Sequence, residues 1–256
     1  MSEGSEAVSV RVYGAPERPT LIYFPGLHGD WTLVGGFRQA LGGAVRFVEM
    51  SYPRTLTWTL QEYAEAIERS LAAHGVNKGW LLGESFGSQL VWVIAGRRKF
   101  TPEGIILAGG FVRHPFPFGV WLGRRLAGRI SFALLRRMLV VYAVFARVRY
   151  RAAPEVLRDL GEFLARRTDE DWHAARHRLD LLASHDPGAI ARGVGVPVYG
   201  LSGVMDPIVP WHGVRRWLKR NCRSLRDYKL VFRADHTVLA TAPKASAQQV
   251  LRWMNP

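Results

Sequence analysis

A serine lies between two glycines in the pentapeptide Gly83-Glu84-Ser85-Phe86-Gly87. The apolar run Trp80 to Leu82 precedes it and a helical pattern follows it, which predicts a strand that turns directly into a helix. Such a turn strains the backbone at its centre, exposes the central side chain and leaves no room for a Cβ on either side. The pattern therefore predicts Ser85 as a nucleophile. A glycine-rich turn that caps a helix is the alternative.

A serine hydroxyl needs a neighbouring base to take its proton, and two histidines near the end of the chain are candidates. His236 follows the predicted strand Tyr228 to Phe232, so it lies in a loop at the carboxyl end of that strand. Ser85 emerges at the same edge, because all strands of a parallel sheet point the same way. His212 begins a predicted helix and is the weaker candidate. We therefore expect His236 to be the base.

A catalytic imidazole needs a carboxylate that fixes its tautomer and stabilises its cation. Asp206 follows the predicted strand Val196 to Leu201 in a loop at the carboxyl edge, although an Asp-Pro pair is also a turn signal. Asp235 adjoins His236 in sequence, but neighbouring side chains in an extended loop point apart. Asp186 lies in a turn at the end of a helical region. Asp206 is accordingly the expected acid.

The segment from Phe24 to Asp30 follows the first long predicted strand and carries two glycines. Glycines let backbone N–H groups turn toward a developing negative charge, and one such donor contributes about 3–4 kcal/mol to the stability of a transition state. The predicted donors are the N–H of Phe86, next after the serine, and the N–H of Leu27. His28 is an alternative donor one residue further along, and its side chain is a candidate substrate contact.

Short apolar runs alternate with helical stretches along most of the chain. The predicted strands cover residues 8–13, 20–24, 45–50, 80–82, 104–108, 196–201 and 228–232. The predicted helices between and after them cover residues 31–41, 57–74, 86–95, 214–219 and 245–254. Strands that are separated by helices form βαβ units, so the sequence predicts an α/β fold with a parallel sheet covered on both faces.

Residues 113–190 differ from the rest because they contain few strand-like runs. Helical spacing extends over residues 121–146, 154–166 and 170–182, which predicts a helical insertion laid over an α/β core. We therefore predict a core formed by residues 1–112 and 191–256, and a cap or lid formed by residues 113–190 that determines specificity. The aromatic and aliphatic side chains of the cap suit an apolar acyl chain or, alternatively, pack the cap onto the core.

Taken together, four motifs resemble those of the α/β-hydrolase superfamily over nearly the whole chain. They are Pro25 to Gly29 after an early strand, the pentapeptide around Ser85, Gly203 to Pro210, and Asp235-His236. The order Ser, Asp, His along the chain matches that superfamily and differs from the orders of chymotrypsin-like and subtilisin-like proteases. The sequence departs from the usual motifs of that superfamily at two positions: Pro25 stands where many members carry His, and Asp235 stands where Gly is common.

This resemblance implies an α/β-hydrolase fold, with a mostly parallel central sheet flanked by helices and an inserted helical cap. It implies Ser85 as nucleophile, Asp206 as acid, His236 as base, and Leu27 and Phe86 as oxyanion donors. The implied activity is hydrolysis of a carboxylic ester or thioester through an acyl-enzyme. A serine at the elbow argues against the dehalogenases and epoxide hydrolases of this fold, which use aspartate. An acyltransferase, a lyase and a ligand-binding member of the fold remain alternatives.

Composition limits the other classes of function. The 256 residues are 48% hydrophobic and 22% charged, which is typical of a globular protein. The single cysteine, Cys222, excludes an intramolecular disulfide and a cysteine-based zinc site within one chain. No metal-ligand cluster or dinucleotide-binding loop occurs in the sequence, so no cofactor is expected. Since neither a secretory signal nor an apolar run long enough to span a bilayer is visible, we expect a soluble, cytoplasmic chain.

The formal net charge of +14 is typical of proteins that bind nucleic acids or anionic membranes. Of the 35 basic residues, however, 30 are arginines scattered along the chain, without a zinc finger, helix-turn-helix pattern or aromatic RNA-binding motif. We therefore expect a small-molecule ester or thioester as partner and no nucleic acid. Residues 104–154 contain nine arginines and no acidic residue, which suggests weak contact with anionic lipid headgroups. A phosphorylated or CoA-bearing leaving group and a solvated face are alternatives.

Overall fold

Seven strands form one sheet. The computed structural model describes residues 7–151 and 153–255. In these ranges the strands are β1 Ser9–Tyr13, β2 Thr20–Phe24, β3 Arg46–Ser51, β4 Lys78–Glu84, β5 Thr101–Ala108, β6 Val198–Gly203 and β7 Leu225–Val231. Each strand overlaps one that the sequence predicts, so these seven predictions are confirmed.

The strands lie side by side in the order β1-β3-β2-β4-β5-β6-β7. β1 is antiparallel to β3, and every other neighbouring pair is parallel. The loops that follow β2, β4, β6 and β7 therefore leave the sheet at one edge, the carboxyl edge. A mostly parallel sheet flanked by helices confirms the predicted fold class.

Eleven helices accompany the sheet in the described ranges. Those outside the insertion are α1 Gly35–Ala40, α2 Leu60–Ala73, α3 Gly87–Arg97, α9 Trp211–Asn221, α10 Val238–Thr241 and α11 Pro243–Met254. The other five lie between β5 and β6 and are α4 Pro117–Ala127, α5 Phe132–Arg149, α6 Pro154–Arg166, α7 Asp169–Ser184 and α8 Gly188–Gly193. The division into a core and a cap with boundaries at residues 113 and 190 stays a prediction.

β2 is apolar almost throughout because both of its faces are buried. Alternate side chains of a strand point to opposite faces of the sheet, and both faces are covered here. Ile22 and Phe24 pack in one apolar cluster with α2, α3 and α9. Leu21 and Tyr23 pack in a second cluster with α1 and α11. The two clusters hold the sheet rigid beneath the loops of the carboxyl edge.

The first helix is shorter than its sequence predicts. The apolar spacing indicates a helix over residues 31–41, but α1 begins only at Gly35. The Oδ1 atom of Asp30 accepts a hydrogen bond from the Thr32 N–H at 2.9 Å, which holds the preceding residues in a turn.

The helical stretch predicted over residues 121–146 is two helices. α4 ends at Ala127, and the Ser131 hydroxyl caps α5 by accepting a hydrogen bond from the Leu134 N–H at 3.3 Å. A cap of this kind begins a new helix even where the apolar spacing continues. The longest helix of the described ranges, α5, has 18 residues. None of the helices in those ranges is both long enough and apolar enough to cross a bilayer.

Candidate active site

Ser85 occupies the tight turn between β4 and α3. Its φ of 50° lies in the left-handed region that residues other than glycine rarely adopt. A Cβ at Gly83 would lie 2.8 Å from the backbone of α3, and a Cβ at Gly87 would overlap the carbonyl oxygen of Phe24. The two glycines therefore permit a turn that raises the Ser85 side chain above the carboxyl edge of the sheet.

Three side chains from separate loops form a continuous series of hydrogen bonds at this edge. The Oγ of Ser85 lies 2.8 Å from Nε2 of His236, and Nδ1 of His236 lies 2.8 Å from Oδ2 of Asp206. A carboxylate only accepts hydrogen bonds, so Nδ1 carries the proton and Nε2 is left to accept one from the serine hydroxyl. The structure thus brings together the three residues that the sequence singled out.

The carboxylate of Asp206 is held rigidly. Its side chain is fully buried, and its Oδ1 accepts hydrogen bonds from the N–H groups of Ile208 at 2.8 Å and Val209 at 2.9 Å. The same loop is joined to the His236 loop by a backbone hydrogen bond of 3.1 Å from Met205 to the carbonyl of Ala234. These contacts orient the carboxylate before any substrate binds.

The alternative histidine and acids occupy other places. His212 is exposed and packs edge-on against the neighbouring Trp211 ring. Asp235 accepts hydrogen bonds from side chains of the insertion and of α10, and Asp186 pairs with Arg113 at 3.4 Å. None of the three forms a hydrogen bond with the serine or its histidine. In the part of the chain that the structure describes, no three histidine, cysteine or acidic side chains are arranged to hold a metal ion.

The two predicted oxyanion donors lie beside the serine. In the residues described, the N–H groups of Leu27 and Phe86 donate to no protein acceptor, so both are free for a ligand. A Cβ at Gly26 would lie 3.5 Å from the Cβ of Ser85, which places the loop after β2 against the nucleophile. A hydrogen bond of 3.0 Å from Gly29 to the Gly26 carbonyl keeps this loop in a tight turn.

Arg178 holds the same loop from the insertion, and the sequence analysis did not identify it. It projects from α7, is 2% exposed, and donates hydrogen bonds to the carbonyls of Leu27 at 2.8 Å and Pro53 at 3.1 Å. No acidic side chain pairs with it in the described ranges, so backbone carbonyls and the Tyr52 ring, whose centre lies 5.5 Å from the guanidinium, compensate its charge. The sequence did contain a signal: Arg178 lies four residues from Ala174 and four from Leu182, which places it with these two buried residues on the inner face of α7.

A second arginine of the insertion holds the other end of the loop. Arg167 forms an ion pair with Asp30, donates to the His28 carbonyl at 3.3 Å, and lies 4.6 Å from the centre of the Phe163 ring. The imidazole of His28 meets the same ring edge-on, with 5.9 Å between centroids. Burial lowers the pKa of His28 from 6.5 to about 4, so its ring is neutral near pH 7.

A buried carboxyl lies directly below the nucleophile. Glu84 is 2% exposed and accepts a hydrogen bond of 2.5 Å from the hydroxyl of Tyr23, while its Oε1 has no partner in the described residues. Burial raises the pKa of Glu84 from 4.5 to about 7, although the Tyr23 hydrogen bond and the nearby His236 lower it. The group therefore titrates near neutral pH, next to Ser85.

Comparison with known proteins identifies the fold but no relative by sequence. No family model matches the chain, and no curated protein matches its sequence. Among solved structures, an esterase from Thermogutta terrifontis matches with a TM-score of 0.76 and 18% identity, over 96% of this chain and 92% of that one. A structure from a study of carboxylesterases of Nitrososphaera gargenis matches with a TM-score of 0.78 and 15% identity, over 99% and 97% of the two chains. The enol-lactonase of Burkholderia xenovorans LB400 matches with a TM-score of 0.76 and 19% identity, over 97% and 96%.

These matches extend over nearly the full length of each pair of chains, insertion included. Because the identities are all below 20%, the likeness concerns the path of the backbone and not particular side chains. Together with the sheet order and the turn at Ser85, it shows that this chain has the α/β-hydrolase fold.

Proposed function

We propose that the protein is a serine hydrolase that cleaves a carboxylic ester or thioester through an acyl-enzyme intermediate. The observation that carries this proposal is the series from Ser85 through His236 to Asp206, with 2.8 Å between the bonded atoms at each step. A serine hydroxyl is a weak nucleophile by itself, and a hydrogen bond to an oriented imidazole is the means by which enzymes activate it.

Acylation begins when the Ser85 Oγ attacks the carbonyl carbon of the substrate and His236 Nε2 takes the hydroxyl proton. The carboxylate of Asp206 stabilises the imidazolium that forms. Collapse of the tetrahedral intermediate breaks the bond to the leaving alcohol or thiol, which receives the proton from Nε2. The acyl group is then joined to Ser85 as an ester.

The negative charge that develops on the carbonyl oxygen needs donors that are already in place. We assign this role to the N–H groups of Leu27 and Phe86, which are adjacent to the serine and donate to no described protein atom. Fixed donors of this kind contribute about 3–4 kcal/mol each to the stability of the transition state.

Deacylation repeats these steps with water as the nucleophile. His236 removes a proton from the water, whose oxygen attacks the acyl carbon, and then returns the proton to Ser85 Oγ. The products are a carboxylic acid and the regenerated serine. We also assign a substrate contact to the side chain of His28, whose neutral imidazole lies beside Gly26.

An apolar acyl group is the substrate that the surroundings of Ser85 favour. Leu27, next to Gly26, is half-buried and packs onto the apolar cluster that contains Phe86. Met205 and Ile208, on either side of the acid, are 54% and 58% exposed. The names of the structural matches, an esterase and an enol-lactonase among them, also favour ester hydrolysis.

A fluorophosphonate probe and a series of p-nitrophenyl esters from acetate to palmitate test the proposal. We expect the probe to label the wild-type protein, and Ser85→Ala to lose both labelling and turnover. Ser184→Ala, which removes an exposed hydroxyl at the end of α7, is the matched control and should behave as wild type. Labelling that persists in Ser85→Ala would exclude Ser85 as the nucleophile.

Product analysis separates hydrolysis from acyl transfer. A matched ester and thioester with the same acyl group are incubated with the protein, with and without an added alcohol. We expect the free acid to be the main product in both cases. A transferred ester as the main product at low alcohol concentration would instead identify an acyltransferase.

A further inference from the structure

The outer face of α5 is a stripe of apolar side chains in contact with solvent. Leu134, Met138, Val141, Phe145 and Val148 follow one another at intervals of four, three, four and three residues, so they share one side of the helix. They are between 46% and 73% exposed. At 1.5 Å per residue the stripe is about 21 Å long.

The preceding helix and its N-cap also expose aromatic rings. Phe116, Phe118 and Trp121 are 52%, 59% and 47% exposed. The rings of Phe118 and Trp121 stack with 5.5 Å between centroids, and the Arg125 guanidinium lies 5.1 Å from the centre of the Trp121 ring. We call the outward sides of α4 and α5 together the outer face.

The outer face is strongly basic at its margins. Nine arginines and no acidic residue occur between Glu103 and Glu155. Only two of the nine, Arg113 and Arg124, form a salt bridge within the described ranges. Arg137 is exposed beside Val141 of the apolar stripe, and Arg136 and Arg147 are exposed on the flank of α5 that carries Val140 and Val144. Most of this positive charge therefore has no counter-charge within the described ranges.

We propose that the outer face docks on the surface of an anionic lipid bilayer, with the apolar stripe at the boundary of the acyl chains and the arginines among the phosphates. Exposed apolar side chains with arginines beside them are the composition of helices that lie in a membrane interface. Tryptophan and other aromatic side chains favour the headgroup level, where one side of the ring is apolar and the other is wet.

Two other occupants fit the outer face less well. A second copy of this chain would bring two sets of unpaired arginines together, which costs energy through like-charge repulsion. A protein partner would need a fixed shape and a pattern of acidic side chains that complement both helices. A fluid acyl layer adapts to a convex surface, and an anionic one supplies the missing counter-charge.

Side chains beside the stripe and behind it also contact the loop that carries His236. The hydroxyls of Tyr142 and Tyr150 donate to Oδ2 of Asp235 at 3.1 and 3.0 Å, and Arg149 donates to the Arg233 carbonyl at 2.8 Å. Docking of α5 therefore brings the loop that carries His236 close to the bilayer. Docking requires no hydrolysis, so the proposal is independent of the proposed function.

Sedimentation with vesicles tests the proposal. The protein is mixed with vesicles of phosphatidylcholine alone or with added phosphatidylglycerol, and Ser85→Ala is measured in parallel to separate binding from turnover. We expect wild type and Ser85→Ala to bind the anionic vesicles equally, and to bind phosphatidylcholine far less. In about 1 M salt, where the Debye length is about 3 Å, binding to the anionic vesicles should weaken strongly.

Two double variants separate the contributions of charge and apolar contact. Arg136→Gln with Arg137→Gln should weaken binding about 25-fold, since each basic residue near an anionic surface contributes about fivefold. The control with the same change of charge is Arg18→Gln with Arg223→Gln. These residues are exposed at the starts of β2 and β7, on the opposite edge of the sheet, and the control should bind as wild type.

Phe145→Ser with Val148→Ser should weaken binding by about tenfold or more without changing the melting temperature, because both side chains are over two-thirds exposed. The proposal is overturned if wild type does not bind anionic vesicles, or if the Arg18 and Arg223 control weakens binding as much as the Arg136 and Arg137 variant. It is also overturned if Phe145→Ser with Val148→Ser binds as tightly as wild type. If light scattering shows that wild type is a stable dimer and that Phe145→Ser with Val148→Ser is a monomer, the proposal is overturned in favour of a second copy.

Discussion

Replacing Arg178 with methionine tests whether the insertion positions the loop that we propose as part of the oxyanion site. The guanidinium is 2% exposed and donates to the carbonyls of Leu27 at 2.8 Å and Pro53 at 3.1 Å. Methionine is similarly long and flexible but has no hydrogen to donate, so both carbonyls lose their charged donor.

Two opposing contributions set the effect on stability. Hydrogen bonds from a charged group contribute about 1.5–3 kcal/mol each, and Arg178 makes two of them to backbone carbonyls. Keeping a guanidinium out of water without a carboxylate partner costs several kcal/mol in the opposite direction. We therefore expect Arg178→Met to lower the free energy of unfolding by no more than about 2 kcal/mol.

The effect on catalysis should be larger than the effect on folding. Without Arg178 the Leu27 carbonyl is free to turn, and the Leu27 N–H turns with the loop away from the oxyanion position. Loss of one oxyanion donor lowers kcat by about 10²–10³-fold. We expect a fall in kcat of about 100-fold with little change in KM, because the donor acts mainly in the transition state.

The assay combines kinetics on a p-nitrophenyl ester with unfolding in urea. Arg176→Met makes the same change on the same helix, at a side chain that forms no hydrogen bond or salt bridge with any residue described, and should leave kcat unchanged. Arg178→Lys keeps the charge but not the forked geometry, so its kcat should be intermediate. A folded Arg178→Met protein with kcat within about threefold of wild type would refute this reasoning.

Three further predictions concern the charged groups around the nucleophile. His236→Ala should lower kcat by about 10⁴-fold or more, whereas His212→Ala should leave it unchanged because His212 is exposed at the start of α9. Asp206→Asn should lower kcat about 10⁴-fold, since the imidazole then loses its orienting carboxylate. Asp235→Asn should instead lower the free energy of unfolding by about 1–3 kcal/mol, because Asp235 accepts hydrogen bonds from tyrosines of α5. Burial raises the pKa of Glu84 from 4.5 to about 7, so stability that is present below pH 4.5 is lost as the pH rises through about 7. That loss is about 3 kcal/mol at 1.36 kcal/mol per pKa unit, and Glu84→Gln should abolish it in urea unfolding at a series of pH values.

Each of these three predictions compares two proteins, and each would be contradicted by a specific result. Equal losses of kcat in His236→Ala and His212→Ala would mean that neither acts as the specific base. A large loss of kcat in Asp235→Asn with little in Asp206→Asn would exchange the roles of the two acids. A pH dependence of stability that is the same in wild type and Glu84→Gln would show that the buried carboxyl does not titrate in the expected range.

The local sequence was sufficient for most of the fold and for the residues brought together at the site. Buried parallel strands are continuous apolar runs, and the antiparallel edge strand β1 is a short β-branched run, so each of the seven could be recognised without any knowledge of its neighbours. The glycines around Ser85 are visible in the sequence because the turn they permit is itself a local structure. His236 and Asp206 could be chosen because each follows a strand, and the carboxyl ends of parallel strands meet at one edge.

Features that depend on a single capping side chain, or on contacts between segments distant in sequence, could not be predicted in the same way. The split between α4 and α5 depends on the Ser131 cap, which an uninterrupted apolar spacing conceals. Arg178 lies more than a hundred residues from the loop it holds, and its sequence neighbours show only an arginine on a helix.

The sequence by itself determined which segments are strands, where the chain turns sharply, and which three side chains share an edge of the sheet. The tertiary structure alone decided that Arg178 is buried against Leu27, that Asp235 faces the tyrosines of α5, and that the apolar stripe of that helix faces solvent. The physical reason is that backbone conformation and hydrophobic periodicity depend on adjacent residues. Burial, hydrogen-bond partners and pKa depend on whichever distant segments the fold brings into contact.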